Sequence, residues 1–277
     1  MTVAVVVDST ADIPADIREE LGITVVPLLV LFGNEQFRDG IDLSSDKFYA
    51  RLSESSIHPT TSQPSTGDFV EAYERLAKDH DGIISIHLGG KLSGTVRAAQ
   101  QAADMLPQVP IRVIDSGSVS MGLGFLGIEA AQMARAGRSL DEIAAAIEAM
   151  IPHIVLWAVL DTLKYIERGG RIGKGQAFLG TLLNVKPMIY VRGEVLPGER
   201  VRTHKKAIAR MVELATEEAP YTHLAVLHSC REEYAQDLAD QLGAIHPRDH
   251  IIVAQLTAVI GVHGGPGIVG VTGIKAQ

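Results

Sequence analysis

Residues 83–103, IISIHLGGKLSGTVRAAQQAA, pass from an apolar run of strand length through a glycine-rich turn into an alanine-rich segment with high helix propensity. Ser93 stands where the helix is predicted to begin, so its hydroxyl is expected beside free backbone N–H groups and the positive end of a helix dipole. In an open parallel sheet such a junction lies at the carboxyl edge of the strands, where ligands bind. The pattern predicts a site for a carboxylate or phosphate. The alternative is that Ser93 only caps its helix.

The composition excludes several classes of protein. The 277 residues carry a net charge of −8, and aromatic residues make up only 5% of them. Nucleic acid is therefore not an expected partner, because binding it needs a basic face and stacking side chains. The single cysteine, Cys230, excludes an intrachain disulfide and a cysteine-cluster metal site. No H-E-x-x-H or comparable ligand spacing occurs, so we expect no metal.

The N-terminal sequence and the hydropathy bear on location. Met1-Thr2 leads directly into VAVVV, without the basic region of a secretory signal. No segment has the uninterrupted apolar length needed to span a bilayer. We expect a cytoplasmic protein without stable membrane insertion.

Strand-like apolar runs alternate with helix-like segments through the first half of the chain, which predicts an α/β fold. The runs in this half lie at residues 3–7, 23–32, 83–88 and 111–114. The second half opens with a strand-like run at residues 154–160, and Arg192-Gly193 is predicted to turn a hairpin. Further core strands are predicted at residues 223–228 and 251–256.

Hydroxyl side chains collect in the segment HPTTSQPS, residues 58–65. Its two prolines argue against regular structure, so a solvated linker is one interpretation. The other interpretation is that Thr61 and Ser62 donate hydrogen bonds to an anion beside Ser93, because the loop lies only two elements upstream.

An arginine and a histidine are further candidates for contact with an anion. Arg171 lies between glycines, where a guanidinium can form a bidentate pair with a carboxylate or phosphate. An exposed arginine after a helix end is the alternative. His263 precedes a Gly/Pro-rich turn, and polar ligand contacts are common on such shaped loops.

Two glycine-rich motifs suggest nucleotide chemistry, and both are poor matches. Residues 122–127 fit G-x-G-x-x-G, but five residues separate them from the preceding strand. Close helix packing explains these glycines better than a nicotinamide cofactor does. Residues 169–175, GGRIGKG, place Gly175 where a Walker motif needs Ser or Thr, so we reject nucleotide hydrolysis and expect no cofactor.

As a set, the short motifs resemble those of the DegV family of bacterial fatty-acid-binding proteins, which includes lipid-binding subunits of fatty acid kinase. The matching motifs are DSTADI (8–13), TSQPS (61–65), KLSGT (91–95), DS (115–116) followed by GLG, GGRI (169–172), LLNVKP (182–187), VRT (201–203) and a closing turn of the H-x-G-P-G type. They run in order from residue 8 to residue 267, so the resemblance covers almost the whole chain. One departure is Gly264-Gly265, where the family has a larger residue before Gly-Pro.

The resemblance implies a fold of two α/β domains with mostly parallel sheets and a fatty acid buried between them. We place the domains at residues 1–152 and 153–277. It also implies that hydroxyls, a histidine and an arginine hold the carboxylate. In this chain the matching residues are Thr61, Ser62, Ser93, Arg171 and His263.

The resemblance further implies a carrier that does no chemistry alone. It presents a long-chain fatty acid to a separate ATP-dependent fatty acid kinase for acyl-phosphate formation, and we expect it to be a monomer. Arg202, close to Lys205, Lys206 and Arg210, matches the arginine with which related subunits dock to the kinase. Solvated surface charges are the alternative for this group.

A serine-dependent lipid or ester hydrolase is the alternative function. Ser93 would be its nucleophile and His263 its general base. The sequence has no G-x-S-x-G elbow and no evident acid partner.

Overall fold

The computed structural model describes residues 2–174 and 185–276. The strands there are β1 (Val3–Asp8), β2 (Thr24–Val26), β3 (Leu29–Phe32), β4 (Glu35–Arg38), β5 (Thr60–Ser62), β6 (Gly82–His87), β7 (Ile111–Asp115), β8 (Ile154–Val159), β9 (Lys186–Arg192), β10 (Glu194–Val201), β11 (Tyr221–His228), β12 (Ile251–Gln255) and β13 (Val269–Lys275). The helices are α1 (Ala15–Leu21), α2 (Ser45–Glu54), α3 (Thr66–Leu76), α4 (Thr95–Asp104), α5 (Met121–Arg135), α6 (Leu140–Met150), α7 (Lys164–Arg168), α8 (His204–Glu217), α9 (Glu232–Leu242) and α10 (Ala258–Gly264). Of these helices, none is both long and apolar enough to cross a bilayer.

The first sheet is parallel and has the strand order β2-β1-β6-β7. Its central strands β1 and β6 are buried on both faces, which is why they are nearly continuous apolar runs in the sequence. In β1, Ala4 and Val6 join the core formed with α3 and α4. Val5 and Val7 join the core formed with α5 and α6 on the opposite face. The α/β prediction is confirmed for this half.

The second sheet has the order β10-β9-β8-β13-β11-β12, and only the β11–β12 pair in it is parallel. It therefore differs from the expectation of mostly parallel sheets. Part of the reason is the hairpin of β9 and β10, which turns at Arg192-Gly193 as predicted. In addition, β13 enters the sheet between β8 and β11, antiparallel to both. Apolar periodicity marks a strand without revealing its direction.

Helix α5 packs against strands of both sheets and is buried on all sides along its first two turns. The glycines of the G-x-G-x-x-G motif lie in this part of the helix. A Cβ atom on Gly124 would lie 2.6 Å from the Ala11 carbonyl oxygen, and one on Gly127 would lie 2.8 Å from Val7 Cγ1. These distances support close packing as the reason for the motif.

A small antiparallel sheet, β4-β3-β5, was not anticipated from the sequence. Its strand β5 lies within residues 58–65, where the two prolines argued against regular structure. Pro59 and Pro64 flank the strand and do not interrupt it. Helix α10 packs against this sheet and against α2, so a helix of the second half lies on elements of the first.

One apolar core crosses the domain boundary expected at residues 152 and 153. It includes Val5 and Leu126 from the first half of the chain and Leu156 and Ile189 from the second. The division into two domains stays a prediction.

Candidate functional site

A cavity of about 520 Å³ is lined by residues from both halves of the chain. Strand β8 forms part of its wall, because Leu156 and Ala158 line the cavity, as does Leu160 directly after the strand. The alternate residues Val155 and Trp157 belong to the core on the other face of the sheet. Most of the lining is apolar, and a smaller group of polar residues includes every anion-binding candidate named from the sequence: Thr61, Ser62, Ser93, Arg171 and His263. We call these five residues the polar rim.

Strand β5 holds Thr61 and Ser62 at the cavity. Thr61 is opposite Val30 in the antiparallel pairing of β5 with β3, so its position is fixed by backbone hydrogen bonds. Its Oγ1 lies 2.8 Å from His263 Nε2. The Ser62 hydroxyl is exposed and donates to the carbonyl oxygen of Gln63 at 3.2 Å.

The sequence suggested Ser93 as the N-cap of α4, but Ser93 lies one residue before that cap. The cap of α4 is Gly94, and the helix begins at Thr95. The half-buried Ser93 Oγ accepts from the Thr95 backbone N–H at 3.3 Å and lies 2.8 Å from Thr95 Oγ1. Gly94 is pressed against Gln63, because a Cβ at this glycine would lie 2.0 Å from Gln63 Oε1. The close contact brings the start of α4 against the segment that follows β5.

Arg171 is held at the rim by main-chain carbonyls. Its Nε donates to Leu92 O at 3.2 Å, and its NH1 donates to Gly169 O at 2.8 Å. The side chain is exposed, and within residues 2–174 and 185–276 its other N–H groups have no hydrogen-bond partner that would compete with an anion.

His263 contacts the same loop. A Cβ on Gly169 would lie only 2.1 Å from His263 Nδ1, so the imidazole ring lies directly over this glycine. Burial, followed by the nearby charges of Arg171 and His58, lowers the pKa of His263 to about 4, and the ring is neutral at physiological pH. Its Nδ1 is buried and has no partner among the residues that the structure describes, whereas Nε2 faces Thr61 Oγ1.

The protonation of the two ring nitrogens follows from this environment. A proton on Nδ1 would bury an unpaired donor, which is rare in folded proteins. We therefore assign the proton to Nε2, which donates to Thr61 Oγ1. The hydroxyl hydrogen of Thr61 is then free to donate to a ligand in the cavity.

A series of contacts connects the segments that carry the polar rim. Thr61 reaches His263, His263 covers Gly169, and Arg171 binds both Gly169 and Leu92 next to Ser93. Gly94 then meets Gln63, two residues after Thr61. The structure thus brings together the five side chains that were predicted separately. Their role in ligand binding stays a prediction.

Several polar residues of the cavity were missed from the sequence. Thr10, Gln63 and Ser120 also line it. Thr10 and Gln63 lie within the DSTADI and TSQPS motifs, so membership of these motifs is the sequence signal that marks them. Ser120 has a positive φ of 57°, and nothing in its local sequence indicates this position.

Ser93 and His263 do not form the pair that a hydrolase needs. Their hydroxyl and imidazole groups are hydrogen-bonded to Thr95 and Thr61, respectively. Moreover, the buried Nδ1 of His263 lacks the acid that orients a catalytic histidine. This geometry gives no support to the hydrolase alternative.

A serine–histidine–aspartate arrangement exists elsewhere, deep in the first sheet. Ser85 Oγ lies 2.7 Å from His87 Nε2, and His87 Nδ1 lies 3.2 Å from Asp8 Oδ2. All three side chains are fully buried. Asp8 also accepts from the Leu88 backbone N–H at 2.9 Å and from the Thr10 hydroxyl at 2.5 Å, and both of these residues line the cavity. The arrangement is inaccessible to a substrate and supports the cavity wall.

The remaining candidates fall outside the cavity. Within the described ranges, no group of three or more His, Cys, Asp and Glu residues is arranged to hold a metal ion. Gly175, on which rejection of the Walker motif rests, lies outside the described residues, as do Leu182, Leu183 and Asn184 of the LLNVKP motif.

The predicted docking residues differ in their availability. Arg202, Lys205 and Lys206 are exposed at the start of α8. Arg210 is held by three carboxylates, those of Glu199, Glu213 and Glu217.

Comparisons with known proteins match the chain along its whole length. The family model described as "Uncharacterised protein, DegV family" matches residues 2–276. The DegV protein of Bacillus subtilis is 38% identical over 276 residues, covering 98% of each chain. The solved structure of a DegV family protein from Thermus thermophilus, described for its fatty acid binding, has a TM-score of 0.93 at 34% identity and covers 100% of both chains. The structure of the fatty-acid-binding DegV protein of Bacillus subtilis has a TM-score of 0.89 at 37% identity, covering 99% of this chain and 100% of that one.

Proposed function

Because the chain belongs to the DegV family, we propose that it binds a long-chain fatty acid with the tail in the cavity and the carboxylate at the polar rim. The observation that carries this proposal is the composition of the cavity wall, in which the polar rim, together with Thr10, Gln63 and Ser120, joins an otherwise apolar lining. A volume of about 520 Å³ lies within the range of roughly 300–1,000 Å³ that is common for small-molecule sites.

The apolar wall provides the driving force for binding. Burial of a long acyl chain gains roughly 10 kcal/mol of transfer free energy, at about 0.8 kcal/mol per methylene. Association and ordering costs consume several kcal/mol of this gain, so the expected binding is tight and reversible.

The polar rim supplies hydrogen-bond donors for the carboxylate. The Thr61 hydroxyl donates because His263 occupies its acceptor side, and Ser93 offers a second hydroxyl. Arg171 adds a positive charge, and its contacts with Leu92 and Gly169 hold it at the rim. Charge-assisted hydrogen bonds of this kind are stronger than neutral ones.

The direct test is mass spectrometry of an organic extract from protein purified out of a bacterial host. The expected result is a long-chain fatty acid in stoichiometric amount. Protein that is empty after gentle purification, and that takes up no added oleate, would contradict the proposal.

We also propose that the loaded protein presents its lipid to a separate ATP-dependent fatty acid kinase in the cytoplasm, as a monomer. A rim of donors built for a carboxylate can equally hold an acyl phosphate, since both are anions. The exposed Arg202, with Lys205 and Lys206 beside it, supports a docking role for the start of α8. Arg210 is less suited to docking because its own carboxylate partners neutralise it.

The kinase proposal is tested by mixing lipid-loaded protein, ATP and the fatty acid kinase of the host. Arg202→Ala is expected to slow acyl-phosphate formation, whereas Arg138→Ala, an exposed change in the first half of the chain, is the control. Acyl phosphate formed with ATP alone would overturn the carrier model. Equal rates for the Arg202 variant and wild type would remove only the docking assignment.

A further inference from the structure

Helix α10, which carries His263, begins on two buried carboxyl groups from the other half of the chain. The Thr257 backbone N–H donates to Asp12 Oδ1 at 2.9 Å, and the Ala258 backbone N–H donates to Asp39 Oδ1 at 3.1 Å. Asp12 is 7% exposed and Asp39 is 2% exposed. The first N–H groups of a helix have no partner within the helix, so these carboxyls satisfy both.

The second oxygen of each carboxyl connects to the cavity wall. Asp12 Oδ2 accepts from the Ser120 hydroxyl at 2.5 Å, and Ser120 lines the cavity. Asp39 Oδ2 accepts from the Ser9 hydroxyl at 2.8 Å. Ser9 Oγ in turn accepts from the backbone N–H of Leu28, another lining residue, at 3.1 Å. Each carboxyl therefore ties α10 to a residue on the wall of the lipid cavity.

The arrangement is costly for a purely structural contact. In the part of the chain that the structure describes, neither carboxyl has an ion pair, and burial of an unpaired carboxylate is unfavourable. The same helix supplies Val259, Ile260 and Gly264 to the cavity in addition to His263. The position of α10 thus sets both the width of the cavity and the distance from His263 to Thr61.

We propose that Asp12 and Asp39 are positioning residues, a carboxyl clamp that seats α10 and thereby controls how tightly the cavity holds an anionic ligand. This inference rests on the proposed fatty acid binding. It assigns the strength of that binding to two residues that do not touch the ligand.

The clamp changes its charge near neutral pH. Burial raises the pKa of Asp12 to about 7, with a smaller contribution from the Asp39 carboxylate, and burial raises the pKa of Asp39 to about 6. The other charged or titratable groups that face the clamp are Asp8, Arg18 and Arg75, across an adjoining cavity, and the Tyr49 hydroxyl. Between pH 6 and pH 8 the two carboxyls of the clamp ionise. The added negative charge lies at the start of α10, and other residues of this helix face the carboxylate of the bound fatty acid. We expect affinity to fall by roughly threefold over this interval.

The test uses the full chain and the fluorescent fatty acid cis-parinarate, titrated at pH 6, 7 and 8. Asp12→Ala and Asp39→Ala are expected to weaken binding roughly tenfold. The Asn variants keep an acceptor for the backbone N–H, so they retain most of the affinity at pH 6. Each is expected to reduce the decline toward pH 8, and Asp12→Asn is expected to reduce it more. Asp16→Asn, on the exposed face of α1, is the control.

A second measurement follows the ring C–H signals of His263 by NMR in the empty protein. His263 is neutral throughout the range from pH 6 to pH 8, so an inflection near pH 7 in wild type reports movement of α10. The inflection is expected to vanish in Asp12→Asn. If wild type binds no parinarate, the proposed function fails, and the His263 signal still decides the clamp. Folded Ala variants with wild-type affinity, Asn variants with the wild-type pH profile, or a featureless His263 titration in wild type would each overturn the inference.

Discussion

At the rim of the cavity, the neutral ring of His263 determines the direction in which the Thr61 hydroxyl donates. A charged imidazole would donate from both nitrogens and would leave the buried Nδ1 proton without a partner. Neutrality, which results mainly from burial, therefore makes Thr61 a donor toward the cavity. Removal of either hydroxyl at the rim then has a definite consequence.

Thr61→Ala and Ser93→Ala are each expected to weaken fatty acid binding by roughly 1–3 kcal/mol, because a buried carboxylate loses one donor. The measurement is a competition titration with a fluorescent fatty acid. Thr60→Ala is the matched control, since Thr60 lies in the same strand with its side chain exposed. Unchanged affinity in both variants would remove these residues from the site.

Gly169→Ala is expected to displace the His263 ring, because the new methyl group would lie 2.1 Å from Nδ1. Loss of the His263–Thr61 contact is expected to weaken binding without unfolding the protein. Gly67→Ala, where the nearest atom is 3.5 Å away, is the control. A crystal structure of the variant with His263 in place, or wild-type affinity for fatty acid, would contradict this account.

The sequence indicated the rim residues because hydroxyls near glycines and prolines stand out in a chain of ordinary composition. It gave no comparable signal for Asp12 and Asp39, since isolated aspartates in loops are usually exposed. Their burial depends on α10, which lies more than 200 residues away in the chain. His87 was likewise hidden, because its partner Asp8 belongs to a different strand.

Among the elements, β5 and α4 illustrate what local pattern can and cannot predict. The helix after Ser93 was predicted from its alanines, and its start differs by only one residue. Strand β5 was missed because three residues between prolines carry no periodic signal. Its existence depends on pairing with β3, a tertiary contact.

The start of α10 predicts how stability depends on pH. An aspartate in the unfolded chain has a pKa of 3.8, whereas those of Asp12 and Asp39 in the fold are about 7 and 6. The folded state therefore binds these protons more tightly, and the stability that they confer is lost as pH rises through 7. His263, His58, His228 and His246 act in the opposite sense through pH 6.5, their ordinary pKa, because burial lowers the pKa of each in the fold. Asp12 and Asp39 by themselves are expected to lower the free energy of unfolding by roughly 1 kcal/mol between pH 6.5 and pH 8.5, most of it from Asp12.

Urea unfolding at pH 6.5, 7.5 and 8.5 measures this change. Asp12→Asn removes the larger of the two aspartate contributions and leaves the histidines unchanged, so the free energy of wild type is expected to fall relative to that of the variant as pH rises. An equal pH dependence of the two proteins over this range would refute the assignment.

For the whole molecule, the continuous core predicts that the two halves unfold together. Helix α5 contacts both sheets, and α10 of the second half lies on the small sheet of the first. Trp157, the single tryptophan, reports on the second half, whereas far-UV circular dichroism reports on both. The two signals are expected to give coincident thermal transitions. Separate transitions would instead indicate the independent domains expected from the sequence.

The overall architecture was predictable in class and less so in detail. The first sheet is parallel, as alternating strands and helices indicate, because each parallel pair needs a crossover connection. The strands of the second sheet have similar apolar patterns and run mostly antiparallel. The direction of these strands depends on the connections between them and on the position of β13, the last strand in the chain, between β8 and β11. The amino-acid composition of a strand does not specify either.

Strand β8 has one face in the cavity and the other in the protein core. A bound acyl chain would therefore complete the interior of the protein, and its loss would leave one side of a central strand without neighbours. A ligand that binds only the folded form raises the population of folded protein by mass action. Cells degrade proteins that unfold often. The amount of this protein that a cell accumulates would then follow its supply of fatty acid, without any change in transcription.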